Sequence, residues 1–201
     1  MPIEQPVHPK IDSNPESLIR SKNRMAELIR AHDWSSTPLG PIEDWSEALL
    51  LSVNLMLSCA FPSLVFWGKE LVQLYNDAFI PLLAERHPSG LGQTAEECWW
   101  DAWQIVGPNL KRVMDDGDTV FHENTIVPIV RDGRLQDIRW NYSYSPIFGK
   151  DGDVLGVLAV CQDITREMAA AQELRESGER MRASAKHQGE LAAIIDRKSV
   201  V

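Results

Sequence analysis

The sequence predicts an α+β fold: two strand-like runs, several short helices, then three strands, the last two joined as a hairpin. Three observations support this. Ile138, Trp140, Tyr142 and Tyr144 alternate with Arg139, Asn141, Ser143 and Ser145, and that period of two marks a strand with one aromatic face. Val154 to Cys161 is apolar apart from Gly156, which fits a strand covered on both faces. Between them, Gly149-Lys150-Asp151-Gly152 supplies a turn, because Gly tolerates positive φ and Asp bonds its own backbone.

The elements follow in order. Met1 to Pro15 holds four prolines and few apolar residues, and reads as a disordered leader. Residues 16–60 read as flanking helices. Ser17 to Ala31 places Leu18, Met25, Leu28 and Ile29 near one face, and Asp33 to Pro41 breaks the pattern. A second helix is expected from Pro41 to about Ser58. Trp45, Leu49, Val53 and Met56 mark its stripe, and Leu50, Leu51, Leu55 and Leu57 widen it enough to predict a largely buried helix. Ser63–Trp67 and Leu71–Tyr75 are short strands around Gly68-Lys69-Glu70. Asn76 or Asp77 caps a short helix through Arg86, and His87-Pro88-Ser89-Gly90 breaks it. Thr94 with Glu97 is a capping-box pattern that opens a helix through Trp103. Pro108 to Asp116 is a further helix ended by Gly117. Asp118–Val130 and Arg134–Ile147 read as strands joined at Asp132-Gly133, with Pro146 closing the paired segment. From Met168 the chain is rich in good helix formers. Leu174, Met181 and Ile195 recur at multiples of seven, with Ala171, Ala185 and Ala192 beside them, a coiled-coil stripe of small residues. Glu190 to Asp196 reads as the start of a further domain.

Composition excludes several classes of function. Residues 1–163 hold 13 basic and 23 acidic side chains, a balance of −10 within the chain's total of −9. Such a domain repels phosphate backbones and anionic membranes, so neither nucleic acid nor membrane contact is expected of it. Cys59, Cys98 and Cys161 are widely spaced, and they read as reduced, buried thiols of a cytoplasmic protein. No apolar run approaches the ~20 residues that span a bilayer, and Met1 to Lys10 lacks a signal-peptide core.

Beyond the hairpin and a closing Asp163-Ile164-Thr165, the chain carries Trp67-Gly68, Leu74 to Phe79, His87-Pro88, Leu91-Gly92 and Trp99 to Trp103 in series. From Pro62 to Thr165 this resembles the PAS domains at the input end of bacterial sensor histidine kinases. The resemblance implies a five-stranded antiparallel sheet with short helices on one face. It sets a sensory domain at 61–165, flanked by N-terminal helices and by a signalling helix at 166–201. It also implies that Asp163 and Thr165 couple the last strand to that helix, and that the protein works as a homodimer through its flanking helices. The output domain would lie in the same parent chain, a histidine kinase of a two-component phosphorelay.

No catalytic motif is present: there is no phosphate loop, no GxGxxG, no HExxH and no nucleophile elbow, so no enzyme is expected in this stretch. No histidine pairs at metal-ligand spacing. His87 reads as a turn residue. His122 would ligate haem only from a cavity wall, and a strand histidine is ordinarily structural. His187 lacks the Asn- and Pro-containing continuation of a phospho-acceptor helix. Cys98, in Glu97-Cys98-Trp99-Trp100, does not match the reactive cysteine of flavin photoreceptors, which leaves non-covalent flavin open. No metal or cofactor is required. The aromatic residues Trp67, Tyr75, Phe79, Trp99, Trp100, Trp103, Trp140, Tyr142 and Tyr144 form either a filled core or a pocket for a planar or acidic small molecule, with Trp67, Tyr75, Phe79, Trp103, Trp140, Tyr142 and Tyr144 as the pocket residues. Two functions follow: a sensor of a small molecule or partner, or a ligand-free dimerisation module.

Overall fold

The computed structural model describes residues 14–198 and divides into a unit through Gln162 and a second from Asp163. Most of the expected leader, and the side chains of the expected further domain, lie outside the described residues.

In the first unit, the single helix expected over Ser17–Ala31 is two: α1 (Pro15–Leu18) and α2 (Arg24–Ala31). The break is held by polar side chains. Asn23 caps α2 by accepting the Ala26 N–H at 2.9 Å. Asn54 accepts the Arg20 N–H at 2.8 Å and donates to the Leu18 carbonyl at 2.7 Å, satisfying backbone that a continuous helix would have paired. Pro41 opens only a 3-10 turn, Ile42–Asp44. The long helix α3 (Glu47–Ser58) starts after it, capped by Ser46. It buries Leu49, Val53, Met56 and Leu57 and packs on β1 (Ser63–Trp67), but Leu51 and Leu55 stay exposed. Its burial is one-sided, because only one face meets the sheet.

β2 (Val72–Tyr75), β3 (Val120–Arg131), β4 (Arg134–Phe148) and β5 (Val154–Asp163) complete one sheet in the order β2-β1-β5-β4-β3. β5 is central, as its apolar run requires. Gly156 on β5 faces Trp67, and a Cβ there would lie 2.6 Å from the Phe66 carbonyl oxygen. The edge strand β3 has a bulge between His122 and Thr125, with Asn124 at φ 49°. Val120 and His122 before the bulge, and Val127 and Ile129 after it, fall on opposite parities of the strand, so the bulge keeps the apolar residues facing inward. Bulge and Pro128 together blunt this edge against pairing with other chains. Pro146 does not close β4. The β3 ladder already ends at Val120↔Tyr144, so Pro146 removes nothing from that ladder.

Between β2 and β3 lie α4 (Ile80–Leu83), α5 (Ala95–Cys98) and α6 (Trp103–Asp116). The Thr94–Glu97 capping box forms, but α5 ends at Cys98 and Trp103 starts the next helix. Pro108 sits inside α6, in its second turn, where it deprives only the Gln104 carbonyl of an intrahelical donor. Buried Asn76 ties the segments together. Its amide donates to the Cys59 and Phe61 carbonyls at 2.9 and 2.8 Å, and its oxygen accepts the Ser63 and Phe79 N–H groups at 3.1 Å each. In the second unit, α7 (Thr165–Lys198) is one 34-residue helix on which Leu174 and Met181 are 77% and 67% exposed.

Candidate functional site

The inner face of the sheet and the short helices enclose a cavity of about 40 Å³. Strand alternation presents the walls: Leu64 and Phe66 from β1, Val127 and Ile129 from β3, Trp140, Tyr142 and Tyr144 from β4, Cys161 from β5. Phe79, Trp99 and Val106 close it from the helical side. Of the seven aromatic residues expected at a pocket, Phe79, Trp140, Tyr142 and Tyr144 line it. Trp67 stands half-buried at the end of β1 against Gly156. Tyr75 is fully buried, and its hydroxyl meets His87 Nδ1 at 3.0 Å. Trp103 turns outward on α6 and its ring lies against Gly107, where a Cβ would come within 2.8 Å of it. Trp99, from the wider aromatic set, is also a wall, and the apolar walls, Phe66 and Cys161 are not among the expected pocket residues. For Leu64 and Phe66 the period-two alternation of β1 was the available signal, but which parity faces inward depends on what covers each face.

Edge and tilted ring contacts pack the walls: Tyr142 with Tyr144 at 4.9 Å, Phe79 with Trp99 at 6.1 Å and Phe66 with Tyr144 at 6.5 Å between centroids. Trp99 Nε1 donates to Gln73 Oε1 at 2.9 Å, and the Tyr142 hydroxyl accepts from Asn109 Nδ2 at 3.2 Å. Among the described residues, neither buried Trp140 Nε1 nor the Tyr144 hydroxyl has a hydrogen-bond partner. Among the described residues, no charged side chain lines the cavity. Burial pushes Tyr142 and Cys161 up to about 12 and Tyr144 well above its ordinary value, so all three are neutral at physiological pH. By volume the cavity has room for roughly three or four waters, at about 10–15 Å³ each. The walls suit a few uncharged heavy atoms bearing an acceptor for the Trp140 N–H or the Tyr144 hydroxyl.

Two arginines back the tryptophan walls. The Arg86 guanidinium stacks over Trp99 at 5.1 Å and that of Arg131 over Trp140 at 5.6 Å. Arg86 also donates to Asp101 Oδ2, which accepts the Val130 N–H at 2.6 Å. Asp101 thus ties the β3–β4 hairpin to the helical side.

His122 meets the Tyr142 ring at 5.0 Å and is not a cavity wall. His187 is exposed on α7. Cys98 is buried and its thiol is pushed up, chiefly by that burial. Among the described residues no three His, Cys, Asp or Glu side chains gather as a metal site, and no helix is long and apolar enough to cross a membrane. At the end of β5, the Asp163 carboxylate accepts the Thr165 N–H at 3.0 Å, so Asp163 rather than Thr165 supplies this bond at the start of α7.

Similarities to solved structures are distant. The PAS domain of Bordetella pertussis BvgS is 19% identical, with a TM-score of 0.49 over 67% of this chain and 98% of its own. A sensory box sensor histidine kinase from Vibrio cholerae is 17% identical, with a TM-score of 0.40 over 59% and 91%. The Rhodobacter sphaeroides LOV protein is 10% identical, with a TM-score of 0.48 over 60% and 69%. Similarities at this level say nothing of ligand or output. No curated protein matches the sequence. The family profile described as "PAS fold" matches residues 67–169, about half of the chain and nearly all of the sheet, and the chain belongs to that family.

Proposed function

We propose that residues 61–165 are a sensory domain that takes a small uncharged molecule in its internal cavity. The change is relayed through the 166–201 helix to an output domain of the same parent chain, a histidine kinase of a cytoplasmic two-component phosphorelay. One observation carries this reading: Cys161 is a cavity wall, and it stands two residues before Asp163 on the strand that precedes α7 in the chain. A change in the walls therefore acts on the strand whose end is bonded to the start of the output helix. The uncharged lining supports a neutral occupant over an acidic one. The 16–60 helices and the Leu174–Met181 stripe supply the surfaces for a homodimer.

The small cavity favours a second reading, a ligand-free dimerisation module, since pockets for drug-sized ligands span about 300–1,000 Å³. Native mass spectrometry of the purified protein separates the two. A retained or added small molecule at one per chain supports the sensor, and its consistent absence supports the module. The relay is tested by fusing residues 1–195 to a kinase output module. Asp163→Ala is expected to uncouple regulation while circular dichroism stays native, with Thr165→Val acting more weakly. Unchanged regulation in Asp163→Ala sinks the relay.

A further inference from the structure

A larger concavity lies on the outside of the first unit, between α6, the β1–β2 turn and the start of β5. Its volume is about 720 Å³, within the range of small-molecule sites and far above that of the internal cavity. The floor and walls are apolar: Leu71, Trp103, Met114 and Val154. Lys69 on the turn and Lys111 on α6 stand at the groove, both exposed, and neither has an ion-pair partner among the described residues. Among the described residues, Asp115 is the one acidic side chain that lines it.

Two features mark this as more than a dent between elements. Leu71 adopts φ 53°, a left-handed conformation that costs a residue with a Cβ, and its carbonyl is held by the Ala95 N–H at 2.9 Å. Such strain persists only where surrounding structure enforces it, and here it fixes one wall of the groove. Trp103 lies flat on Gly107, which gives the groove a planar apolar surface, and its indole N–H has no partner among the described residues. Two unpaired ammonium groups beside an indole stand out in a domain whose balance is −10.

We propose that this groove binds a small amphipathic anion: a planar or aliphatic apolar body packed on Trp103 and Leu71, with a carboxylate or sulfonate between Lys69 and Lys111. The reading is independent of the internal cavity, whose walls bear no charge.

The test uses the full chain and 1-anilinonaphthalene-8-sulfonate, a planar aromatic anion, titrated by fluorescence and calorimetry. Binding is expected at one per chain, with affinity falling as salt rises. Lys69→Glu with Lys111→Glu is expected to weaken it about tenfold, the loss of two exposed ion pairs. The neutral N-phenyl-1-naphthylamine is expected to bind weaker by a similar factor. Trp103→Phe keeps the ring surface and removes the N–H, with a smaller loss. Val127→Leu, at a cavity wall on β3 and not among the groove residues, should leave binding unchanged. Equal affinity for the neutral compound, several molecules per chain, insensitivity to the lysine reversals, or loss of binding in Val127→Leu would each overturn the proposal.

Discussion

Asp101→Ala tests whether the β3–β4 hairpin is held to the helical side by one carboxylate. The Asp101 side chain is 2% exposed and that of Arg86 13%, so the pair sits in a low-dielectric setting. Removing the carboxylate strands the Arg86 guanidinium and leaves the Val130 N–H without its acceptor. Breaking a buried pair from one side costs about 3–5 kcal/mol, against a total stability of about 5–15 kcal/mol for a domain. At about 2–4 °C per kcal/mol for a chain of this length, Tm should fall by roughly 6–20 °C. Removing both charges is a different perturbation. Arg86→Met with Asp101→Leu leaves no uncompensated ion, so it should restore the part of the loss due to the stranded charge, while the Val130 N–H still lacks its acceptor. Urea denaturation of the two variants beside wild type reads the difference, and hydrogen exchange at Val130 reports whether the hairpin loosens locally. The reasoning fails if Asp101→Ala costs less than about 1 kcal/mol, the value of an ordinary exposed pair. It fails equally if the double variant is as unstable as the single one.

Gly156→Ala places a methyl group 2.6 Å from the Phe66 carbonyl, which the sheet cannot absorb without a backbone shift. A loss of about 1–3 kcal/mol in thermal melts is expected. Alkali should destabilise the first unit. Cys161 and Tyr142 hold their protons to about 12 when folded, but ionise near 9 and 10 when unfolded. Their stabilisation is therefore complete below about pH 9 and is lost as pH rises toward 12, and Cys161→Ser should flatten the fall in Tm over that window. In thiol titration of the native protein at pH 8, Cys59 should react first, and Cys98 and Cys161 only on unfolding. Leu174→Glu with Met181→Glu puts charge on the exposed stripe of α7, and light scattering should show weaker self-association.

Elements whose signal is local are legible along the chain. The alternation around Trp140, the Gly149–Gly152 turn and the apolar run to Cys161 are read from neighbours along the chain, and they specify β4, the hairpin and the central β5. The Thr94–Glu97 capping box and the Gly117 stop are equally local, since each bonds backbone within a few residues. Four pocket residues were legible for the same reason: three share one face of β4, and Phe79 follows the strand–turn Leu74 to Asp77. Other features depend on contacts between residues distant in the chain. The break between α1 and α2 depends on Asn54, more than thirty residues away. Trp103 starts α6 with its ring against Gly107 four residues on, and it lines the outer groove rather than the cavity, a placement that no pattern in the sequence marks. The pairing of Asp101 with both Arg86 and Val130 joins three segments that share no pattern in the sequence. Periodicity reports which residues share a face; what that face meets is fixed by long-range packing, where side-chain volume and polar satisfaction decide the outcome.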